Sequence, residues 1–207
     1  MRRIAVNAER LEPASLAEAV EVLRAGGVVA FPTDTLYGLA VDPRSTEAVE
    51  RLFALKGRAL TAAVPLIAAD LEQALTAAEF GPRQRRVAAI FWPGPLSLVA
   101  PVRPGISPLV LAGGSTVAIR VPAHAIAREL ASAFGFCVTA TSANRSGHPP
   151  PDSADAVVHA LPGVDLVLDA GHAPGGLPST IMSFDNDGPV LLRAGALAWD
   201  RVIKSLQ

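Results

Sequence analysis

Lysine is rare in this chain, and one of its two lysines has an arginine two residues away. The sequence has 18 lysines and arginines together, of which only Lys56 and Lys204 are lysines. At the end of a predicted helix, the charge of Lys56 complements the helix dipole, but this does not explain the choice of lysine. A compact ammonium and a planar guanidinium together suit a phosphate or a carboxylate, so we expect Lys56 and Arg58 to bind an anionic ligand.

Polar side chains also follow two of the apolar runs that predict buried strands. Thr33 and Thr35 come directly after the run that ends at Phe31, and their hydroxyl groups can hold a small polar ligand. Ser142 and Asn144 follow a second run, and side chains two residues apart in extended backbone share one face, so these two can converge on a single group. A hydrogen-bonded turn explains either segment equally well, and both interpretations stay open.

Two arginines lie within or at the end of predicted strands. Arg120 belongs to the apolar run from Thr116 to Val121, and Arg193 ends a later run. Because an unpaired buried charge is costly, each guanidinium needs a structural carboxylate or an anionic ligand. No carboxylate is adjacent in sequence, so we favour the ligand. The glycine-rich segment 175–180 can approach an anion through its backbone N–H groups, although alone it is a weak signal.

The sequence has none of the common catalytic signatures. It contains no HExxH pattern, no GxSxG pattern, no phosphate-binding P-loop and no GxGxxG motif after a strand. The single cysteine, Cys137, lies in an apolar stretch that predicts a buried, inert thiol. Hydroxyls, an amide and several cations fit a reaction that depends on positioning and on neutralising charge. These residues favour phosphoryl or nucleotidyl transfer.

The apolar pattern around these residues predicts intermingled helices and strands, without a linker or a repeat. We therefore expect one α/β domain over residues 1–207, with a twisted mixed sheet flanked by helices and a concave ligand groove. The predicted helices are 15–25, 45–56, 71–78, 82–91, 124–134, 153–161 and about 196–206, and the predicted strands are 28–31, 64–68, 96–102, 116–121, 136–141, 164–168, 180–184 and 190–193.

Composition and charge exclude several classes of protein. Half of the 207 residues are hydrophobic and 18% are charged, which excludes a disordered or fibrous chain. The formal net charge is −1, so no global basic field indicates a nucleic-acid partner. The N-terminal residues do not form a secretory signal, and no apolar run reaches the ~20 residues of a membrane span. We expect a cytoplasmic protein with no membrane contact and no dedicated metal site.

Seven short segments carry a resemblance to a known family. They are PTDTLYGL at 32–39, LKGR at 55–58 with PL at 65–66, WPGPLSL at 92–98, TVAIRVP at 116–122, ATSANRSG at 140–147, PSTI at 178–181 and LRAG at 192–195. In this order they resemble the YrdC-like (YrdC/YciO) family of threonylcarbamoyl-AMP synthases. The resemblance covers residues from about 14 to 195 and implies a single YrdC-like domain.

The resemblance implies a reaction and a set of site residues. L-threonine and bicarbonate combine as N-carboxythreonine, whose carboxylate attacks the α-phosphate of ATP to give L-threonylcarbamoyladenylate and pyrophosphate. A partner tRNA threonylcarbamoyl transferase then moves the threonylcarbamoyl group to tRNA. Mg²⁺ is expected on the phosphates, with few dedicated protein ligands. By similarity, Lys56, Arg58, Thr116, Ser142, Asn144 and Arg193 face ATP, with Lys56 and Arg58 the best candidates for a catalytic role, while Thr33, Arg120 and Ser179 hold threonine.

The sequence departs from the family pattern in one loop. Many relatives follow the Lys-Gly-Arg segment with proline and reach Pro-Leu sooner, whereas residues 59–64 here are uncharged, so contacts from this loop are not carried over. Because the chain ends at Gln207, we also expect it to lack the extra C-terminal domain of the family's longer branch.

An alternative function is an RNA-binding module of the same fold without synthase activity. In that case Lys56, Arg58, Arg120 and Arg193 contact the phosphate backbone of RNA, and a direct contact with tRNA is part of either interpretation. The net charge of −1 and the small number of aromatic residues, 7 Phe, 2 Trp and 1 Tyr, argue against this alternative.

Overall fold

The computed structural model describes residues 1–9, 13–59 and 61–206. These residues form an α/β fold, which confirms the predicted class. The helices are α1 (Pro13–Arg24), α2 (Thr46–Lys56), α3 (Leu71–Ala77), α4 (Pro82–Phe91), α5 (Ala125–Phe134), α6 (Ala154–Ala160) and α7 (Trp199–Leu206). The strands are β1 (Arg2–Ala5), β2 (Val29–Pro32), β3 (Tyr37–Ala40), β4 (Leu66–Ile67), β5 (Leu96–Pro101), β6 (Thr116–Arg120), β7 (Val138–Thr139), β8 (Thr141–Ser142), β9 (Leu166–Asp169), β10 (Thr180–Phe184) and β11 (Pro189–Arg193).

The described strands form two mixed sheets, so the prediction of one sheet is wrong. The five-stranded sheet has the order β1-β9-β2-β3-β8, and the six-stranded sheet has the order β11-β10-β5-β6-β4-β7. The difference arises in the apolar run 136–141, which is not one strand. β7 pairs with β4 in the six-stranded sheet, whereas β8 begins two residues after β7 ends and pairs with β3 in the five-stranded sheet. An apolar run shows that a strand is buried, but not to which sheet it belongs.

Strand β2 is the interior strand that its wholly apolar sequence predicts. All four of its residues are buried. Val29 and Phe31 pack on one face of the sheet with apolar residues of α1 and α5, while Ala30 belongs to the core on the opposite face. β2 pairs with β9 on one side and, antiparallel, with β3 on the other. The turn between β2 and β3, which carries the first polar segment, is therefore held at the end of a buried hairpin.

The six-stranded sheet has one buried face and one face that is partly open to solvent. The buried face carries mainly apolar side chains, among them Leu96, Leu98 and Ile119, and belongs to the core. The opposite face is more polar. On β5 and β6 it carries Ser97, Val99, Pro101, Thr116, Ala118 and Arg120. This open face is where the sheet can present polar side chains to a ligand.

Two helices begin more than one residue away from their predicted starts. α1 begins at Pro13 rather than at Ser15, and α7 begins at Trp199 rather than near residue 196. The N–H groups of Ala196 and Leu197 are engaged outside the helix, because they donate to the segment before β10 and to its first residue. In the described part of the chain, no helix has the length and apolar character needed to cross a membrane.

Candidate functional site

Lys56 is the last residue of α2, and both ends of this helix are capped by the sequence. Ser45 precedes the first turn and accepts a backbone N–H at 3.2 Å, while Gly57 ends the helix in the left-handed conformation with φ 58°. Lys56 is only 2% exposed, so it is not a surface residue. Its Nζ donates to the carbonyl oxygen of Ser142, and to the backbone and side-chain carbonyl oxygens of Asn144 at 2.7 and 3.4 Å.

Arg58 follows the turn at Gly57 and lies beside Lys56. Its Nη1 donates to the hydroxyl of Thr141 at 3.1 Å, and its Nη2 donates to the carbonyl oxygen of Ala63 at 2.8 Å. Its Nε is buried and has no hydrogen-bond partner among the residues that the structure describes. Because an enclosed donor without an acceptor is costly, this guanidinium is a candidate to meet an anionic ligand.

Ser142 and Asn144 converge as the sequence predicts. The hydroxyl of Ser142 donates to the Oδ1 of Asn144 at 2.5 Å. The amide nitrogen of Asn144 donates to the carbonyl oxygens of Arg145 and His148 at 3.0 and 2.5 Å, so this side chain also holds the loop after β8. Asn144 is buried, whereas Ser142 is exposed. These contacts support the turn interpretation, while a contact of Ser142 and Asn144 with a ligand stays a prediction.

We call Lys56, Arg58, Ser142 and Asn144 the lysine cluster, and these residues line one cavity of about 390 Å³. A volume of this size lies within the range of small-molecule sites. The other lining residues are Ala59, Ala62, Ser146 and Gly147. The uncharged loop 59–64 therefore contributes two small side chains, while its Leu60 lies outside the described residues.

The buried position of Lys56 predicts opposite effects of alkaline pH on folding and on anion binding. Burial, and after it the positive charge of Arg58, lowers the pKa of Lys56 to about 8. From pH 8 up to the unfolded pKa of about 10.4, the unfolded chain binds more protons at this residue, so its contribution to folding stability rises with pH. We expect the Kd for sulfate, measured by calorimetry, to rise about tenfold between pH 7 and 9.5 as the ammonium loses its proton.

The control for this pH prediction is the exposed lysine of α7. Lys204→Met is expected to retain the pH dependence of the native chain, whereas Lys56→Met is expected to lose it, both for sulfate affinity and for unfolding free energy. An unchanged pH dependence in Lys56→Met would contradict the assignment.

A second group of polar residues crosses the open face of the six-stranded sheet. Leu98 of β5 pairs with Ile119 of the antiparallel strand β6, and one residue further in the same register places Ser97 opposite Arg120. β10 runs parallel to β5 with Ile181 beside Ser97, and β11 places Arg193 beside Ile181. Residues beside one another in adjacent strands share a face, so Arg120, Ser97 and Arg193 lie in one row.

Arg120 has a carboxylate partner that the sequence reasoning did not assign. Its Nη1 donates to the Oδ1 of Asp34 at 2.9 Å, and the two side chains are 9% and 16% exposed. Burial lowers the pKa of Arg120, and the charge of Asp34 opposes this effect. Arg120 therefore has a structural carboxylate, which the chain brings to it from 86 residues away, and its contact with a ligand stays a prediction.

Arg193 is bonded to Ser179 rather than to a carboxylate. Its Nε and Nη2 donate to the backbone carbonyl oxygen of Ser179 at 3.2 and 2.8 Å, and Nη2 also contacts the Ser179 hydroxyl at 3.2 Å. That hydroxyl lies 2.9 Å from the hydroxyl of Ser97. Burial, and then the charge of Arg120, lowers the pKa of Arg193. We call Asp34, Ser97, Arg120, Ser179 and Arg193 the arginine cluster.

Gly195 holds the segment of Ser179 in place by direct backbone contact. A Cβ at Gly195 would lie 2.2 Å from the carbonyl oxygen of Pro178 and 2.6 Å from the nitrogen of Thr180. The hydroxyl of Thr180 also donates to the carbonyl oxygen of Leu197 at 2.6 Å. Only glycine fits at this position, so the LRAG segment positions Ser179 as well as supplying Arg193.

The turn after β2 is closed by Thr33. Its hydroxyl donates to the carbonyl oxygen of Leu36 at 2.7 Å and accepts the N–H groups of Thr35 and Leu36, each at 3.2 Å. The turn interpretation of this segment is confirmed. Because the hydroxyl is already engaged, the contact of Thr33 with threonine stays a prediction that the resemblance alone supports.

The same turn connects the two clusters. Asp34 in the turn reaches Arg120, and the strand that follows places Gly38 opposite Ser142 of the lysine cluster.

Thr116 lies at the other end of β6 from Arg120, exposed and on the same face. It does not line the cavity of the lysine cluster.

Three residues of the site were missed from the sequence. Asp34 belongs to the segment PTDTLYGL at 32–39, but nothing in the spacing shows that it pairs with Arg120. Ser97 is the one polar residue of the run 96–99, which is a usable signal for a polar position on an otherwise apolar strand. Gly195 follows Arg193 by two residues, but its close backbone contact arises only in the fold.

The described residues contain no group of three or more His, Cys, Asp or Glu side chains that could hold a metal ion. Cys137 is buried, and burial raises the pKa of its thiol to about 12. The structure confirms that the thiol is buried, and a thiol that stays protonated is a poor nucleophile.

Comparison with known proteins shows which family this chain resembles. The model of the Sua5–YciO–YrdC family, whose description reads "Telomere recombination", matches residues 21–195. Threonylcarbamoyl-AMP synthase of Bacillus subtilis is 39% identical over 194 residues, which cover 90% of this chain and 55% of that protein. Threonylcarbamoyl-AMP synthase of Pyrococcus abyssi is 38% identical over 199 residues, which cover 95% of this chain and 58% of that protein.

Solved structures agree with this result. The crystal structure of P. abyssi Sua5 complexed with L-threonine matches with a TM-score of 0.93 at 36% identity, covering 99% of this chain and 61% of that one. This chain thus spans between 55% and 58% of the length of the two curated relatives. Since the family model covers most of the sequence and these relatives share more than a third of their aligned residues with it, the chain belongs to the Sua5–YciO–YrdC family.

Proposed function

We propose that this chain synthesises L-threonylcarbamoyladenylate and pyrophosphate from L-threonine, bicarbonate and ATP, for the threonylcarbamoyladenosine modification of tRNA. The observation that carries the proposal is the presence of two cation clusters linked by the hairpin of β2 and β3, one around buried Lys56 and one around Arg120 and Arg193. The activity named for the B. subtilis and P. abyssi relatives supports it.

The first step of the proposed reaction forms the nucleophile. The threonine amine, after losing its proton, attacks the carbon of bicarbonate, and water leaves to give N-carboxythreonine. The arginine cluster is the part of the site that we assign to threonine, with Arg120 and Ser179 on its carboxylate. The L-threonine complex of P. abyssi Sua5 supports a threonine site in this fold.

The second step transfers the adenylyl group. A carboxylate oxygen of N-carboxythreonine forms a bond to the α-phosphorus of ATP, and the bond from that phosphorus to the bridging oxygen breaks, which releases pyrophosphate. The attacking carboxylate is already ionised, so the step needs no general base. Lys56 and Arg58, together with Arg193, neutralise the charge on the phosphates, while Thr116, Ser142 and Asn144 contribute polar contacts to ATP.

The proposal includes a cation and partners that accompany these substrates. In this proposal Mg²⁺ would enter with ATP and be held chiefly by the phosphates, since the described residues contain no group of three or more His, Cys, Asp or Glu side chains that could hold a metal ion. A tRNA threonylcarbamoyl transferase accepts the product, and a direct contact with tRNA accompanies the transfer. We place the reaction in the cytoplasm as part of this proposal.

Pyrophosphate release by the purified chain tests this function. With Mg²⁺ and ATP present, we expect release only when both L-threonine and bicarbonate are supplied, and we expect mass spectrometry to find threonylcarbamoyladenylate. Lys204→Met is the matched control for Lys56→Met, because Lys204 is an exposed lysine outside both clusters, and we expect it to release pyrophosphate at the native rate.

Two outcomes would contradict the proposed function. Pyrophosphate release that is independent of threonine would indicate a different nucleotide reaction. Absence of release from a folded chain, together with RNA binding that weakens steeply with salt, would favour the RNA-binding alternative.

A further inference from the structure

The ion pair between Asp34 and Arg120 joins the two sheets at the centre of the proposed site. Asp34 follows β2 of the five-stranded sheet, whereas Arg120 ends β6 of the six-stranded sheet. The 2.9 Å hydrogen bond from Nη1 to Oδ1 therefore fixes a residue of one sheet against a residue of the other. The Asp34 and Arg120 side chains are only 16% and 9% exposed. In the part of the chain that the structure describes, every other ion pair has at least one side chain that is more exposed than these.

The backbone that carries Asp34 is held before any ligand arrives. Thr33 closes the turn through three hydrogen bonds to Thr35 and Leu36. The carbonyl oxygen of Thr35 also accepts the N–H of Gly175 at 2.7 Å. With the turn fixed on both sides, the Asp34 carboxylate is a rigid support rather than a mobile counter-ion.

Asp34 uses only one nitrogen of Arg120. The guanidinium carries five N–H donors, and no other hydrogen bond from it occurs among the described residues. The other carboxylate oxygen of Asp34, Oδ2, accepts the N–H of Ala123 at 3.4 Å. A planar guanidinium that is pinned through Nη1 keeps a fixed orientation and has donors left for a second carboxylate.

The pair also sets the charge of the arginine cluster. Arg120 and Arg193 are close enough for the charge of Arg120 to lower the pKa of Arg193. Two arginines and one aspartate leave one net positive charge in this cluster. Without Asp34, two cations would face one another, and the orientation of Arg120 would no longer be held.

We propose that Asp34 is a positioning residue that orients Arg120 for the carboxylate of L-threonine. This inference rests on the proposed function and deepens it, because it adds the residue that makes Arg120 a selective ligand. Asp34 acts through Arg120 and does not contact the reacting atoms.

Calorimetry of L-threonine binding to the full chain, without ATP, tests this proposal. We expect Asp34→Ala to raise the Kd for L-threonine about tenfold to a hundredfold, since hydrogen bonds to a charged group are each worth about one to two powers of ten in affinity. Asp34→Asn keeps an oxygen acceptor for Nη1 and is expected to restore most of the affinity. In steady-state pyrophosphate release, KM for threonine is expected to rise while KM for ATP changes less than threefold.

Asp42→Ala is the matched control for Asp34→Ala. It removes a carboxylate that, like Asp34, accepts a hydrogen bond from an arginine at 2.9 Å, here from the Nε of Arg44, outside both clusters. We expect it to leave threonine affinity unchanged. Unchanged or tighter threonine binding in Asp34→Ala would overturn the proposal, as would equal increases in both KM values, which indicate general damage. Absence of threonine binding in the native chain would overturn both the proposed function and this inference. The titration of the native chain distinguishes this outcome from those in which only the Asp34 variants change.

Discussion

Lys56→Met is expected to lower kcat for pyrophosphate release by about 10²–10³-fold while the chain stays folded, because a preorganised charge at a reacting group contributes this much. The Nζ of Lys56 is held by carbonyl oxygens of Ser142 and Asn144 at the base of β8, so its ammonium cannot swing away from the cavity. Methionine fills a similar volume and removes the buried charge. Initial rates and thermal unfolding of the same preparation measure both effects.

The stability of the Lys56→Met chain separates a ligand role from a structural one. A surface lysine at a helix end contributes about 0.3–1 kcal/mol, but Lys56 is 2% exposed. Its removal relieves the cost of a buried cation and leaves carbonyl oxygens of Ser142 and Asn144 without this donor, at about 1–3 kcal/mol. We expect the two effects to offset one another in part. A loss of activity that is matched by loss of folded protein would refute the ligand role.

Gly195→Ala is expected to cost about 2–4 kcal/mol of unfolding free energy, because the added Cβ overlaps backbone atoms that cannot rotate away. The overlapped atoms are the carbonyl oxygen of Pro178 at 2.2 Å and the carbonyl carbon of Ser179 at 2.5 Å. To admit the methyl group, the segment 178–180 must move, and Ser179 then shifts from Arg193. We expect KM for threonine to rise in the fraction that stays folded, measured by denaturant unfolding and by initial rates.

A second glycine provides the control for this substitution. A Cβ at Gly81 would meet its nearest neighbour, the Oε1 of Gln84, at 3.8 Å, and the φ of this residue is −70°. Gly81→Ala therefore tests the loss of a glycine without steric overlap, and we expect it to change stability by less than about 1 kcal/mol. If both substitutions had equal effects, the close contact at Gly195 would not be the cause.

Local signals predicted much of the lysine cluster. The helix predicted over 45–56 placed Lys56 at a helix end, and the structure confirms this position, with α2 capped at Ser45 and ended at Gly57. Ser142 and Asn144 also converge, but they do so across the bend that follows β8 rather than along extended backbone. These features depend on residues that are close in sequence, where spacing determines geometry.

The rest depends on how distant segments pack. Asp34 and Arg120 are 86 residues apart, and no periodicity connects them. The burial of Lys56 was also not predictable from its place at a helix end, since it depends on β8 covering that end. The division into two sheets likewise follows from the partners of β7 and β8, because their apolar residues would suit one continuous strand equally well.

The parallel pairing of β10 with β5 has a consequence for the time at which the site forms during synthesis. Thr180 pairs with Leu96, so this contact closes a long loop, and β11 follows only afterwards. Arg193 and Ser179 therefore join Ser97 and Arg120 only when nearly the whole described chain has left the ribosome. Until then β5 has an unpaired edge on that side, and an unpaired strand edge exposes the nascent chain to aggregation.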